Sequence, residues 1–214
     1  MHAEILFADA EWKSVFVEGD YRNLICDIYN GEKLMYAGLK LDLPGHYQLK
    51  NVLTVLATVE KLREQGLIIK EEIIKEALGT VRSLTAFAGR WQVLSENPLI
   101  ICDTAHNTGG LREVMLQLQE IPSRQTHFVL GMVKDKDVDA VLKLFPKKGK
   151  YYFCKPDLPR GLDAGELLTL ASKQGLEGFA YDSVAIALAE AKKQADKEDL
   201  IYVGGSTFVV AEVI

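Results

Sequence analysis

The chain has 214 residues, 48% of them hydrophobic, which supplies a sizeable buried core and excludes disorder along its whole length. Its 25 Lys and Arg against 30 Asp and Glu leave a formal charge of −5, the wrong sign for a protein held to nucleic acid by its phosphates. No apolar run approaches the roughly 20 residues of a bilayer span, and Met1-His2-Ala3-Glu4 opens no basic leader, so the expectation is a cytoplasmic protein with neither nucleic acid nor a membrane as partner.

From Ala3 to Leu43 short β-type runs alternate with turn residues: Ile5–Phe7, Ser14–Val17, Leu24–Tyr29 and Leu34–Ala37. Asn30-Gly31 between the last two predicts a tight hairpin, because such turns need positive φ at their centre. After Leu43-Pro44-Gly45 the period changes. Leu49, Val52, Leu53, Leu56, Val59 and Leu62 recur at helical steps up to Gly66, and a second helix runs from about Glu71 to Leu78. A few antiparallel strands and two helices make a poor domain alone, so a further segment is expected to precede them in the natural protein.

Beyond Arg90, strand runs at Trp91–Leu94, Leu99–Cys102, His127–Leu130, Tyr151–Cys154, Gly178–Tyr181 and Leu200–Val203 alternate with helical patterns at Leu111–Leu118, Val138–Leu144, Ala164–Lys173 and Val184–Ala195. That alternation predicts an α/β domain with a mostly parallel sheet and helices on both faces, preceded by a partial α+β segment. The boundary falls near Phe87-Ala88-Gly89, which divides the chain into 1–87 and 88–214. Cys26, Cys102 and Cys154 are odd in number and far apart, and read as small buried residues on strands rather than as a disulfide or zinc framework.

In an open parallel sheet ligands bind beyond the carboxyl ends of the strands. Leu99–Cys102 runs into Asp103-Thr104-Ala105-His106-Asn107, which sets a carboxylate, an imidazole and an amide just before a helix start suited to an anion. Asp103 there would hold a ribose hydroxyl or a metal, or would simply cap the helix with Asn107. After His127–Leu130, Lys134 or Lys136 would meet an anion, or Asp137 merely starts the next helix. The last strand leads into Gly204-Gly205-Ser206-Thr207, a small-residue turn that a ligand can approach closely. Arg90 at the boundary would grip a phosphate, or would make only a surface or interdomain salt bridge. Gln48 and Asn51, one turn apart on the long helix, would face the same way and read a flat polar edge. The motifs G-x-x-x-x-G-K-[ST], G-x-G-x-x-G, G-x-S-x-G and H-E-x-x-H do not occur, so the sequence carries no phosphate-cradling loop of its own.

In order and spacing, Gly45-His46-Tyr47-Gln48-Leu49-Lys50-Asn51, Gly89-Arg90, Asp103-Thr104-Ala105-His106-Asn107, Asp135-Lys136-Asp137 and Gly205-Ser206-Thr207-Phe208 resemble the carboxyl-terminal half of the folylpolyglutamate synthase/dihydrofolate synthase family of the Mur ligase superfamily. Ala88 stands where that family usually has Pro, and Thr104 and Thr108 where it often has Gly and Pro. The resemblance implies a Rossmann-like carboxyl-terminal ligase domain at 88–214 and, at 1–87, the end of a central ATP-binding domain whose phosphate loop, Mg²⁺ ligands and folate site lie in an amino-terminal part outside this chain. It implies ATP-dependent addition of L-glutamate to the γ-carboxylate of a folate, or to dihydropteroate, through an acyl phosphate. By the same resemblance Asp103 and His106 are catalytic. Gln48, Asn51, Arg90, Asp103 and His106 bind ATP, and Asn107, Lys136 and Ser206 face the amino-acid substrate. No metal ligand is expected in this chain. A peptidoglycan-precursor ligase, or a non-catalytic module holding a small anion or nucleotide at the Asp103–His106 turn, stands as the alternative.

Overall fold

In the computed structural model, which describes residues 5–134 and 137–214, the chain opens with a four-residue helix α1 (Ala8–Glu11) and a three-stranded antiparallel sheet ordered β1 (Trp12–Gly19), β2 (Leu24–Asn30), β3 (Lys33–Leu41). The predicted strand at Ile5–Phe7 does not form. Those three residues are exposed and lead into α1, because so short an apolar run meets no neighbouring ladder among the described residues. The hairpin is present but shifted by one residue. Asn30 pairs with Lys33, and the turn is Gly31-Glu32, with Gly31 supplying φ of 58°.

Helix α2 (Gln48–Glu64) lays Val52, Leu53, Leu56 and Ala57 onto this sheet, and α3 (Glu71–Gly79) adds Ile74. They cover Trp12, Leu24, Cys26, Ile28, Tyr36 and Leu39; on β2 these are alternate residues, as the pleat requires, and on β3 the spacing slips by one where the register with β2 shifts. A short helix α4 (Val81–Thr85) ends at Ala86 in the left-handed region. These elements make one compact unit, Met1–Phe87; a second spans Ala88–Ile214.

The second unit is built on a six-stranded sheet. Its strands are β4 (Gln92–Glu96), β5 (Leu99–Cys102), β6 (Thr126–Leu130), β7 (Lys150–Cys154), β8 (Gly178–Tyr181) and β9 (Leu200–Gly204). The spatial order is β4-β5-β9-β6-β7-β8, all parallel except β4, which pairs antiparallel with β5. Trp91, predicted as the first strand residue, has φ of 44° and stands just outside β4.

Helices α5 (Thr108–Gln119), α6 (Val138–Leu142), α7 (Ala164–Lys173), α8 (Val184–Gln194) and α9 (Thr207–Ala211) fill the crossovers and the carboxyl end. Right-handed crossovers put α5, α6 and α7 on one face, and the return from β8 to β9 puts α8 on the other. One face of the strands, with Ile100, Val129, Cys154, Ile201 and Val203, packs on Val184, Ala187, Ala191 and Val209. The other carries stacked rings, Phe128 against Tyr151 at 4.9 Å and Tyr151 against Phe153 at 5.6 Å. All five residues of β9 are buried, as a central strand covered on both faces must be. Cys26, Cys102 and Cys154 lie in β2, β5 and β7 and are buried free thiols.

The register pairs Cys102 with Val203 and Leu130 with Gly204. The loops that follow β5, β9 and β6 therefore emerge at one level, along the carboxyl edge of the sheet.

Candidate functional site

At that edge Asp103 is fully buried, and its two oxygens accept backbone N–H groups from opposite directions: Oδ2 from Trp91 at 2.7 Å and Oδ1 from Ala105 at 2.7 Å. Asp103 N–H in turn donates to Val203 O at 3.2 Å. The carboxylate thus knots the segment before β4 to the turn after β5. The knot has a second strand, because Thr104 N–H donates to Gly89 O at 2.9 Å and Gly89 N–H to the Gln92 Oε1 at 2.8 Å. Gly89 has φ of 83°, and a Cβ there would come within 2.9 Å of the Thr104 methyl. This is why glycine stands here. Arg90, half-buried, lies between the pinned Gly89 and Trp91.

His106 differs from Asp103: it is exposed, and among the described residues its ring is engaged through Nδ1, 3.0 Å from Thr104 O. A carbonyl can only accept, so Nδ1 carries a proton toward Thr104 O and Nε2 is the nitrogen turned away from it. Asn107 is the N-cap of α5, its Oδ1 accepting from Gly110 N–H at 2.8 Å. Asn107 thus caps the helix, while Asp103, whose oxygens go to Trp91 and Ala105, does not cap it with Asn107.

Ser206 is buried and caps α9, accepting from Phe208 N–H at 3.3 Å. Gly205 before it has φ of 88°, and a Cβ there would lie 2.9 Å from Gly131 O. Gly131 is as tight, since a Cβ would meet the Val209 side chain at 2.7 Å and Cys154 O at 2.8 Å. The turns after β6 and β9 approach each other to within the space of a methyl group. Lys136, with Asp135, lies outside the described residues.

In the first unit Gln48 and Asn51 occupy the first turn of α2 and face the same way, with Asn51 Nδ2 donating to Gln48 Oε1 at 2.9 Å. Asn51 borders a cavity of about 720 Å³ with Phe7, Leu53, Thr54, Ala57 and Thr58, whose lining is mainly apolar and includes the charged Asp9, Lys50 and Lys61. Among the described residues no group of three or more His, Cys, Asp or Glu side chains could hold a metal ion.

Sequence reasoning passed over Arg160. It lies on the loop between β7 and α7, with its guanidinium carbon 4.8 Å from the centre of the Phe208 ring. Pro156, Pro159 and Gly161 mark a turn-rich stretch in the sequence, but nothing local reveals that it folds back toward α9.

The family model described as Mur ligase, glutamate ligase domain, matches residues 89–207. The dihydrofolate synthase/folylpolyglutamate synthase of Escherichia coli is 32% identical over 166 residues, 77% of this chain and 37% of that protein. The structure of E. coli FolC in complex with DHPP and ADP superposes with a TM-score of 0.75 at 28% identity, covering 95% of this chain and 45% of that one. A bifunctional folylpolyglutamate synthase/dihydrofolate synthase with Mn, AMPPNP and L-glutamate bound gives 0.75 at 29% identity, with 96% and 45% covered. The chain thus spans less than half the length of these relatives. With the family match extending over more than half of its residues, the chain belongs to the Mur ligase family and carries its glutamate ligase domain.

Proposed function

We propose that this chain supplies the glutamate-adding part of an ATP-dependent ligase that joins the amine of L-glutamate to the γ-carboxylate of a folate, or to dihydropteroate. ATP activates that carboxylate as an acyl phosphate, the glutamate amine attacks its carbonyl carbon, and phosphate leaves as the amide forms. The observation that carries the reading is the Asp103–Asn107 turn at the carboxyl end of β5, inside the segment matched by the glutamate ligase model. The complexes of the relatives with ADP, AMPPNP and L-glutamate support the same substrates here.

Within this reading the residues divide by burial. His106 meets ATP or its phosphoryl product with Nε2, because its other nitrogen is held by Thr104 O. Asp103 acts through the backbone it ties and is a positioning residue. Asn107 and Ser206 shape two helix starts at the amino-acid side, and Lys136 faces that substrate. Gln48 and Asn51 read the adenine edge, which suits the paired amides and the apolar cavity beside Asn51. Arg90 takes phosphate. By the family resemblance the Mg²⁺ ligands and the phosphate loop, a motif this sequence does not contain, are supplied by a further part of the ligase.

The test is ADP release dependent on both L-glutamate and a reduced folate, by the protein expressed from its complete natural reading frame. Turnover is expected, and His106→Ala should lower kcat by about 10²-fold. Activity with a peptidoglycan-precursor carboxylate in place of a folate would change the acceptor and keep the chemistry. Nucleotide binding without turnover on any acceptor would overturn the ligase reading in favour of a binding module.

A further inference from the structure

At the amino edge of the large sheet, the end away from the Asp103–His106 turn, α6 and α7 finish and hand the chain on to β7 and β8. Between their carboxyl ends lies a cavity of about 470 Å³. Its floor is apolar and buried, formed by Leu142 and Phe145. Its walls carry three exposed lysines: Lys143 at the end of α6, Lys147 on the loop into β7 and Lys173 in the last turn of α7. Gly175, with φ of 76°, closes the far side. A Cβ there would find Lys147 Cδ at 3.7 Å and Cε at 3.8 Å, so the Lys147 stem lies along the glycine backbone.

Lysines at helix ends ordinarily serve the last carbonyls. Here backbone N–H groups take them: Leu176 donates to Ala171 O and Gly175 to Ser172 O, while Leu144 donates to Val141 O and Phe145 to Leu142 O. Among the described residues none of the three ammonium groups has an ion-pair or hydrogen-bond partner, and no Asp or Glu lines the cavity. Glu177, two residues past Gly175, borders a separate cavity with Lys150. Asp139, one turn before Lys143 on α6, is exposed and stands outside the lining. From Ala140 to Pro156 the sequence holds five lysines and no acid, in a chain whose formal charge is −5.

Three like charges around one cavity repel one another, and an anion carrying several charges reverses that cost where a lone carboxylate answers only one of them. Lysine meets phosphate as a point charge and needs no fixed fork geometry. The half-buried Gln174 adds an amide N–H to the same wall. We propose that this cavity binds an oligophosphate, two or three linked phosphates that are either free or carried by a nucleotide, with Lys143, Lys147 and Lys173 sharing its charge. The site lies within the second unit, uses no residue of the candidate ligase site and does not rest on the ligase reading.

The experiment is a titration of the isotope-labelled chain with inorganic triphosphate, followed by the backbone amide signals. Saturable shifts are expected at residues 142–147 and 172–175. Affinity should fall in the order triphosphate, diphosphate, phosphate, and should weaken as salt is raised. Lys147→Gln should bind triphosphate about threefold more weakly, and Lys143→Gln/Lys147→Gln/Lys173→Gln about tenfold or more weakly. All three side chains are exposed, and unchanged dispersion of the amide spectrum shows that each variant remains folded. ADP and diphosphate separate the two sources. Tighter binding of ADP at these residues sustains the site as one for a nucleotide, and equal binding sustains it as one for the phosphate chain alone. Citrate binding there as tightly as triphosphate would overturn the phosphate assignment. An absence of saturable shifts at these residues, or equal binding by the parent and the triple variant, would overturn the site itself.

Discussion

Asp103 and His106 are three residues apart in one turn, and their environments assign them different tasks. Asp103 accepts two backbone N–H groups in a buried position, and an Asn there would offer one acceptor and turn its amide hydrogens toward the other donor. Asp103→Asn should therefore lower the unfolding free energy by about 1–3 kcal/mol. His106→Ala, at an exposed position, should stay within about 0.5 kcal/mol of the parent. Urea denaturation of the two variants measures both, and an undisturbed stability in Asp103→Asn would show that the knot to Trp91 is not what holds the loop. The sequence reading brought both residues to the end of β5 and, by the family resemblance, gave them one shared catalytic role, which does not distinguish a buried carboxylate from an exposed imidazole. The donor that claims Asp103 Oδ2 belongs to Trp91, twelve residues upstream, and becomes visible only when β4 turns antiparallel against β5. Ser206 is similar, since its position after β9 could be read while its burial depends on the packing around α9.

Among the elements, the periodic ones were legible because burial repeats at fixed intervals: α2, the parallel strands and their crossover helices all follow from where apolar residues recur. What could not be read is how closely two elements approach, as at Gly131 and Gly109. Gly131, after β6, faces the Val209 side chain and Cys154 O. A methyl group there forces a backbone carbonyl to move, and Gly131→Ala should cost about 1–3 kcal/mol. Gly109 lies in the first turn of α5, where a Cβ finds nothing nearer than the Asn107 Oδ1 at 3.6 Å. Gly109→Ala should stabilise by up to about 1 kcal/mol, by restricting the unfolded chain and favouring the helix. Thermal unfolding of the pair should show midpoints displaced in opposite directions, and a neutral Gly131→Ala would contradict the close approach of the turn after β6 to α9 and the end of β7. The arched loop bearing Arg160 escaped sequence reasoning for the same physical reason, since its partners Met132 and Lys134 come from the previous strand's exit.

On the scale of the molecule, the carboxyl edge of the large sheet holds the candidate site, and the amino edge holds a polar network that links stability to pH. His127, fully buried at the start of β6, has Nε2 3.2 Å from Asp199 Oδ2 and Nδ1 2.9 Å from the Tyr152 hydroxyl, whose oxygen lies 3.1 Å from Gln194 Oε1. Arg124 pairs with both Asp196 and Asp199, and Asp196 N–H donates to Asp199 Oδ2 at 2.9 Å. Burial holds the His127 pKa below its ordinary value, with Lys150 and Arg124 acting in the same direction and Asp199 opposing them. Burial of Asp199 resists its ionisation, but the Asp196 N–H, His127 and Arg124 outweigh it and hold its carboxyl below the usual range. Both groups therefore bind protons more readily in the unfolded chain, so stability rises with pH through each transition. The share due to His127 is complete above the unfolded imidazole pKa of about 6.5 and drains away as pH falls below it. The share due to Asp199 is lost at lower pH, below the ordinary carboxylate value of 3.8. Denaturation midpoints should consequently decline from pH 7 to pH 5 in the parent and decline less in His127→Gln, which removes the titrating ring while keeping a polar side chain beside Tyr152 and Asp199. Parallel pH profiles in the two proteins, or a His127 that NMR shows titrating above its free value, would reverse the sign of this argument and place an imidazolium rather than a neutral ring beneath the sheet.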